Sequence, residues 1–195
     1  MENKLIDIVT KHSEFHEICD VMNELGLEYY IGAGFITQSV WNHLSGYPLK
    51  QGISDIDIVF YHEDVSEDFE RFVRDKLSTV KTELWLDVKN QKRVHLWYKD
   101  KFGYDIEPYS SLEAAIDTWP TTATAVGMRC LNGVYKVYAP FGLEDMFNKI
   151  VRANPVQITE EIYNKKCDKW QKKWADLSII SWINQTGNKI GKELQ

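Results

Sequence analysis

The chain has 195 residues, 44% of them hydrophobic and 13% aromatic, which excludes a disordered composition and provides enough apolar side chains for a sizeable core. Its net charge of −6 argues against a long nucleic acid as substrate, because proteins that hold polynucleotides usually present a basic face. No apolar run approaches the roughly 18–20 residues that a membrane span needs, so we expect no membrane partner. Three widely spaced cysteines fit neither a disulfide framework nor a zinc site and indicate reduced thiols in a cytoplasmic protein.

Hydrophobic periodicity in the first part of the chain predicts helices that alternate with strands. Such alternation is typical of a mixed sheet with helices packed against it. Glycine and proline mark several of the predicted ends, and acidic residues suit the predicted helix starts. The predicted elements are helices at 13–25, 35–44, from 63–67 to about 77, and 112–117, strands at 28–31, 55–61 and 82–88, and a short strand-like run at 94–98.

The chain changes character after Trp119-Pro120. Asn132-Gly133 lies between two runs of β-favouring residues, which predicts a hairpin with a type I′ turn. Thr159 is placed to cap a final long helix, because the apolar residues that follow it recur at helical spacing. These apolar residues are Tyr163, Cys167, Trp170, Trp174 and Leu177.

The fold class that these elements predict is α/β (α+β), a mixed β-sheet core with helices packed on it plus a C-terminal hairpin and long helix. The sequence has no internal repeat, low-complexity segment or clear linker. We therefore expect one domain over residues 1–195, with a core at about 1–120 and a C-terminal elaboration at about 121–185. The polar tail from Gly187 is expected to fray.

A small-residue turn and a pair of acids single out the stretch 31–59. Gly34 lies between a strand and a helix start, where a missing side chain lets a phosphate approach the backbone N–H groups. Asp55 and Asp57 lie two positions apart on a predicted strand, so both carboxylates point to the same face. Because like charges that close repel, the pair calls for a neutralising cation, and oxygen ligands suit Mg²⁺ or Mn²⁺.

Nucleotidyl transfer uses such an arrangement, with two metal ions about 3.5–4 Å apart held by carboxylates. A two-metal site usually needs a third acid, and the best candidate is Asp87, since Asp is disfavoured inside an otherwise apolar strand. Asp87 has two other interpretations: an exposed position on the sheet, or an ion pair with Lys89, which would share its face. Asp55 and Asp57 could likewise be solubility residues at a strand end.

These residues carry a family resemblance. A small residue and Gly before a helix, Asp-x-Asp on a strand and a carboxylate on a later strand resemble the DNA polymerase β-type nucleotidyltransferase superfamily. Four longer blocks resemble a family of largely uncharacterised bacterial nucleotidyltransferase-like proteins over about residues 28–175. The blocks are Ala-Gly-Phe-Ile-Thr-Gln-Ser-Val-Trp-Asn-His-Leu, Ser-Asp-Ile-Asp, Val-Lys-Asn-Gln-x-Arg-Val-His-Leu-Trp-Tyr and Trp-Pro-Thr-Thr-Ala-Thr-Ala-Val-Gly.

The resemblance implies a mixed sheet with two metal-binding aspartates on one strand, matched here by Asp55 and Asp57. It implies a third acid on a later strand, matched by Asp87. It also implies phosphate contact at the small-residue turn, matched by Gly34, and Ser54 could orient Asp55 or simply begin the strand.

The sequence departs from the superfamily at the turn and in the helix that follows it. Ala33 stands where the superfamily often has Gly. Thr37 and Gln38 stand where many relatives carry Arg and Asp, so a direct charge contact from this helix to a triphosphate is not expected. Both side chains could still donate hydrogen bonds.

Three further groups of polar residues have two interpretations each. The polar cluster after the third acid could contact substrate or form an ordinary connecting loop. The threonines before the hairpin could line a pocket or belong to the hairpin, and the lysines of the last helix could form a nucleic-acid groove or a solvated face. These residues are Asn90, Gln91, Arg93, His95, Thr121, Thr122, Thr124 and the lysines at 165–173.

We interpret the chain as a divalent-metal-dependent nucleotidyltransferase that uses an NTP, releases pyrophosphate and modifies an unknown small-molecule or protein acceptor. Two alternatives stay open: a non-catalytic descendant that binds a nucleotide or a partner, and a toxin-type transferase that modifies tRNA. The expected catalytic and metal-binding residues are Asp55, Asp57 and Asp87, with Mg²⁺ or Mn²⁺ as cofactor. The expected nucleotide-binding residues are Ala33, Gly34, Gln38 and Ser54.

Overall fold

The structure is a computed structural model that describes residues 1–182. Its strands are β1 (Glu28–Gly32), β2 (Asp55–Tyr61), β3 (Trp85–Asn90), β4 (Gly127–Leu131), β5 (Val134–Tyr138), β6 (Ile150–Val151) and β7 (Ser178–Ile179). The first five form one mixed sheet in the order β3-β2-β1-β4-β5, and β6 pairs with β7 separately. Only the β2–β3 pairing in the five-stranded sheet is parallel.

Helices cover both faces of this sheet. They are α1 (Glu2–Val9), α2 (Ser13–Glu24), α3 (Ala33–Ser45), α4 (Glu67–Leu77), α5 (Tyr98–Phe102), α6 (Leu112–Ile116), α7 (Glu144–Phe147) and α8 (Glu160–Gln171). Ile31 and Ile58 face the larger core, whereas Tyr30 and Val59 face a smaller cluster against α6. Because side chains alternate along β2, Asp55 and Asp57 lie on the same face as Val59. None of the helices within residues 1–182 is long and apolar enough to cross a membrane.

The predicted fold class is confirmed, and so is the predicted hairpin. Leu131 pairs with Val134 across the two-residue turn, where Asn132 and Gly133 have φ of 52° and 76°. Positive φ at both positions is what a type I′ turn requires. The hairpin also extends the central sheet, since Met128 pairs with Ile31 of β1. The division of the chain into a core and an elaboration stays a prediction, and the tail from 187 lies outside the described residues.

Two predicted elements are wrong in part. The strand-like run at 94–98 is instead the end of a 3-10 helix (Gln91–Leu96) and the start of α5. The chain turns there because the Asn90 side chain accepts a hydrogen bond from the Lys92 N–H and so caps the 3-10 helix. The last helix ends at Gln171, before Trp174 and Leu177, although both of these residues are buried.

Strand β3 begins at Trp85, three residues later than the sequence predicts. Its start coincides with the start of β2, because Trp85 is the register partner of Asp55. Tertiary pairing, and not local propensity, therefore sets this boundary.

Candidate active site

The turn between β1 and α3 is tightly built. A Cβ on Gly32 would lie 2.6 Å from the Trp119 ring and 2.7 Å from the Val126 carbonyl oxygen, so a side chain does not fit there. Ala33 has a φ of 52°, in the left-handed region that a non-glycine residue rarely adopts, and its N–H donates to Val126 O at 3.0 Å. Strain of this kind persists only where the surroundings enforce it, often beside a functional site.

The acidic residues converge beside this turn. Asp57 of β2 is the register partner of Gly32 on one side and of Asp87 on the other. Register partners point to the same face of a sheet, so Asp55, Asp57 and Asp87 share one face. The Gly34 N–H lies beside the Asp57 carboxylate and acts to lower its pKa. The three predicted acids therefore lie on one face beside the turn, and their role as metal ligands stays a prediction.

Electrostatics at Asp57 show an excess of negative charge. Burial raises the pKa of Asp57 to about 7, and the neighbouring charges of Asp55 and Asp87 act in the same direction. Lys166 and the Gly34 N–H oppose this rise. Burial also lowers the pKa of Lys166, while the charges of Asp57 and Asp55 partly restore it. One lysine therefore does not neutralise the acids.

Asp87 has a partner of its own. Its Oδ1 lies 2.9 Å from Lys89 Nζ, which is the ion pair that the sequence offered as one interpretation. In the described part of the chain, no group of three or more His, Cys, Asp or Glu side chains is placed to hold a metal ion. Asp55 and Asp57 nonetheless fit Mg²⁺, which is usually bound through one or two carboxylates together with substrate phosphates.

Two adjoining cavities open at this face. The polar cavity, of about 210 Å³, is lined by Gly34, Gln38, Asp55, Asp57, Lys166 and Lys169, with Ala33 and Thr124 at its wall. The aromatic cavity, of about 260 Å³, is lined by Gln91, Trp97, Tyr98, Phe102, Tyr109 and Gln157. Trp119, Pro120 and Lys166 line both of them. The cavities therefore form one continuous cleft.

The predicted nucleotide-binding residues divide into two groups. Ala33, Gly34 and Gln38 line the polar cavity, where the Gln38 side chain is 8% exposed and has no hydrogen-bond partner within residues 1–182. Ser54 does not line the cavity and instead donates a hydrogen bond from Oγ to Asp55 Oδ1. Ser54 therefore orients Asp55, which is one of the two interpretations that the sequence left open.

The polar cluster after β3 also divides. Asn90 donates to the carbonyl oxygens of His62 at 3.1 Å and Asp64 at 3.0 Å, and Arg93 pairs with Glu67, so both side chains hold the loop. Gln91 differs, because its buried side chain lines the aromatic cavity.

The remaining ambiguous residues have mostly structural contacts. His95 Nδ1 is buried and has no partner within the part of the chain that the structure describes. The hydroxyl groups of Thr121 and Thr124 lie 2.7 Å apart, and Thr122 donates to Asp145 at 2.6 Å. Thr124 alone among these threonines also reaches the wall of the polar cavity.

Lys166 and Lys169 are candidate site residues from the lysines at 165–173, for which the sequence offered a nucleic-acid groove or a solvated face but no place in this site. On α8 the side chain of Lys165 is 74% exposed and pairs with Glu161, as expected of a solvated face. Lys166 instead follows Tyr163 by three positions and precedes Trp170 by four, so it shares their buried side of the helix. That spacing was the available signal for its position.

Comparison with known proteins decides the family. A family model described as nucleotidyltransferase matches residues 20–179. The chain belongs to this nucleotidyltransferase family. A comparison with curated proteins found no match.

Solved structures support the same fold. One is an NMR structure described as revealing a CCA-adding enzyme head domain, with a TM-score of 0.74 and 27% identity, covering 92% of this chain and 95% of that one. A tRNA-processing enzyme in an apo form has a TM-score of 0.53 and 16% identity, covering 84% and 42%. A CCA-adding enzyme in complex with ATP has a TM-score of 0.51 and 14% identity, covering 92% and 41%.

At their low identity, the last two structures show the fold alone. This chain also spans less than half the length of either protein. The nucleotidyltransferase head-domain fold is therefore established for this family member. Family and fold together support nucleotidyl transfer from an NTP as its general activity.

Proposed function

We propose that this protein is a nucleotidyltransferase that depends on Mg²⁺ or Mn²⁺ and moves a nucleotidyl group from an NTP to a hydroxyl group of a small-molecule or protein acceptor. One observation carries the proposal: the polar cavity brings Gly34, Asp55, Asp57 and Lys166 to one place. A helix start, paired carboxylates and a lysine are the groups that a metal-bound triphosphate needs.

The triphosphate would lie at the start of α3. The Ala33 N–H already donates to Val126 O, so the N–H groups that follow it at the positive dipole end of α3 would receive the phosphate oxygens. Residues 33–42 of α3 include no lysine or arginine, and the positive charge comes from Lys166 and Lys169 of α8 instead. The unpartnered amide of Gln38 can donate a further hydrogen bond.

Asp55 and Asp57 would hold the metal, with Ser54 fixing the orientation of Asp55. When bound, the metal neutralises the phosphate charge and lowers the barrier to attack by the acceptor oxygen. The raised pKa of Asp57 means that its carboxylate is partly protonated near pH 7 in the metal-free protein. Asp57 must therefore release this proton as it becomes a ligand.

The acceptor proton would pass to Asp87. The acceptor oxygen attacks the α-phosphorus, a new P–O bond forms, and the bond from the α-phosphorus to the leaving pyrophosphate breaks. Asp87 lines neither cavity, but it shares the face of Asp57, and its Oδ1 lies 2.9 Å from Lys89 Nζ. A carboxylate in that position can accept the hydroxyl proton directly or through one water.

A non-catalytic nucleotide-binding descendant is the second candidate. It is favoured by the observation that, among the described residues, no three carboxylates are grouped to hold a metal. Such a protein would bind an NTP through the polar cavity but would release no pyrophosphate. The same assay separates the two candidates.

The test compares wild type with Asp55→Asn and with Asp75→Asn, an exposed acid of α4 that serves as the matched control. Pyrophosphate release is measured with each NTP and Mg²⁺ across metabolite, protein and tRNA acceptors. We expect Asp55→Asn to lower release at least about 100-fold, because a carboxylate ligand of the metal is lost. Asp75→Asn should leave release unchanged.

Undiminished release by Asp55→Asn would contradict the proposed site. NTP binding by the wild type without pyrophosphate release from any acceptor would favour the non-catalytic descendant. Release with tRNA alone would keep nucleotidyl transfer and replace the proposed acceptor class.

A further inference from the structure

The aromatic cavity has the size and walls of a site for a planar ligand. Its volume of about 260 Å³ would hold roughly nine waters at about 30 Å³ each. The rings of Trp97, Tyr98, Phe102, Tyr109 and Trp119 line it. Tyr98 is held in place by neighbouring rings, since its ring centroid lies 4.4 Å from that of Phe102 and 5.4 Å from that of Tyr104. Fixed aromatic walls favour stacking with a flat ring.

Most polar groups around this cavity already have partners. The Tyr109 hydroxyl lies 3.1 Å from Thr118 Oγ1 and accepts a hydrogen bond from Gln157 Nε2 at 2.7 Å. The Tyr98 hydroxyl lies 3.2 Å from that of Tyr104. These hydroxyl and amide groups therefore maintain the shape of the cavity.

Gln91 is different. The residue is 5% exposed and lines the cavity, and its amide has no hydrogen-bond partner within residues 1–182. The amide is not among the polar atoms closed off from solvent, so it faces the open space of the cavity, where a ligand can become its partner. An amide presents one acceptor and two donors, so it can pair with a ligand edge that carries a donor beside an acceptor.

The two cavities divide the cleft by polarity. Acids and lysines line the polar cavity, whereas rings line most of the aromatic one. Lys166 lies at the junction and contacts both. A nucleoside triphosphate has the same division within one molecule, with a charged triphosphate at one end and a flat base with a hydrogen-bonding edge at the other.

We propose that the aromatic cavity binds the base of the NTP whose triphosphate occupies the polar cavity, and that Gln91 hydrogen-bonds the edge of this base and thereby sets the choice of NTP. This inference rests on the proposed function, because it assumes that the polar cavity receives the triphosphate. It adds a specificity-determining residue on the 3-10 helix, separate from the three aspartates at 55, 57 and 87.

The experiment measures calorimetric binding of ATP, GTP, CTP, UTP and inorganic tripolyphosphate to the full chain with Mg²⁺. For the wild type we expect at least one NTP to bind about ten-fold or more tightly than tripolyphosphate, since base stacking adds to affinity. We also expect the four NTPs to differ among themselves, because their base edges present different donors and acceptors.

Two variants make a matched pair, because both replace a buried, unpartnered glutamine with a side chain of similar size. Gln91→Leu should weaken the preferred NTP about ten-fold, reduce the differences among NTPs and leave tripolyphosphate binding unchanged. Gln38→Leu should weaken every NTP and tripolyphosphate by a common factor and preserve the preference. Trp97→Leu provides a second variant of the aromatic cavity and should bring all four NTPs towards the affinity of tripolyphosphate. Thermal unfolding of each variant verifies that it folds.

The failures are distinguishable. If the wild type binds tripolyphosphate and every NTP equally, or if Gln91→Leu and Trp97→Leu keep the wild-type NTP profile, the inference is overturned and the proposed function stands. The aromatic cavity would then belong to the acceptor. If the wild type binds neither tripolyphosphate nor any NTP, the proposed function fails first.

Discussion

The polar cavity and the aromatic cavity adjoin, yet we expect them to contribute to stability with opposite signs. The polar cavity places like charges close together and includes Ala33 in the left-handed region. In the aromatic cavity, the Tyr98 hydroxyl is paired with that of Tyr104 and the Tyr109 hydroxyl with that of Thr118, within a packed cluster of rings. The difference indicates that the polar cavity is arranged for an ionic ligand and lowers the stability of the ligand-free protein. The aromatic cavity is instead lined by packed rings, with the Gln91 amide left without a partner among the described residues.

Among the variants that test this comparison, Asp57→Asn in the absence of metal should give the largest change in the free energy of unfolding. The pKa of Asp57 is raised from 3.8 to about 7 in the native protein, so between these values the native state binds a proton that the unfolded chain releases. The free energy of unfolding therefore falls as pH rises from about 4 to about 7, and this loss is complete above that range. We expect Asp57→Asn to be more stable than wild type at pH 8 by on the order of 2–4 kcal/mol.

Denaturant unfolding in a chelator across pH 4–8 measures this difference, with Asp75→Asn as the control. The advantage of Asp57→Asn should be small near pH 4, where the wild-type carboxyl is protonated in the native state and nearly half protonated in the unfolded chain. Saturating Mg²⁺ should stabilise wild type more than the variant, because the ion binds the native carboxylates. If wild type and Asp57→Asn were equally stable at pH 8, the charge at Asp57 would not destabilise the polar cavity and the proposed difference between the cavities would fail.

Lys166→Met tests the junction of the two cavities. The lysine supplies positive charge to the polar cavity. Its loss should therefore lower the affinity for ATP and for tripolyphosphate about ten-fold, which corresponds to about 1.4 kcal/mol. Both ligands should weaken by the same factor, since the base does not need the charge. The neighbouring Lys165→Met is the matched control and should change neither affinity. Weakening of ATP without weakening of tripolyphosphate would instead assign Lys166 to the aromatic cavity.

Tyr109→Phe is expected to give the smallest change, with a sign opposite to that of Asp57→Asn. Removing the hydroxyl leaves Gln157 and Thr118 short of a partner, so the free energy of unfolding should fall by about 1 kcal/mol. Tyr47→Phe, at an exposed tyrosine, should change it by less than half of that amount. The measurement is chemical denaturation at pH 7. If Tyr109→Phe raised the free energy of unfolding, the aromatic cavity would destabilise the ligand-free protein just as the polar cavity does.

Local patterns explain which parts of the site were predictable. Asp55 and Asp57 were readable because the two-residue period of a strand places them on one face whatever surrounds them. The hairpin at Asn132-Gly133 was readable because its turn type follows from two residues. The run at 94–98 was misread because its alternation suits a strand, while the Asn90 cap that redirects the chain is a side-chain contact.

The residues that distant parts of the chain bring together at the cleft could not be predicted in the same way. Lys166 interacts electrostatically with Asp57 across 109 positions of sequence, and Gln91 lines the same cavity as Gln157, 66 positions away. No period or spacing links residues so far apart in the chain. Whether Lys166 belonged to a solvated face or to the cleft depended on how α8 packs, since both outcomes suit a lysine on a helix.

The sequence by itself determined the sheet-and-helix class, the acidic strand and the glycine turn, because each depends on backbone geometry over a few residues. Only the tertiary structure decided that α8 supplies the lysines, that Asp87 is paired with Lys89, and that an aromatic cavity with an open Gln91 amide continues the cleft. These outcomes follow from packing between distant segments, where burial and charge neutralisation select among positions that local chemistry leaves equivalent.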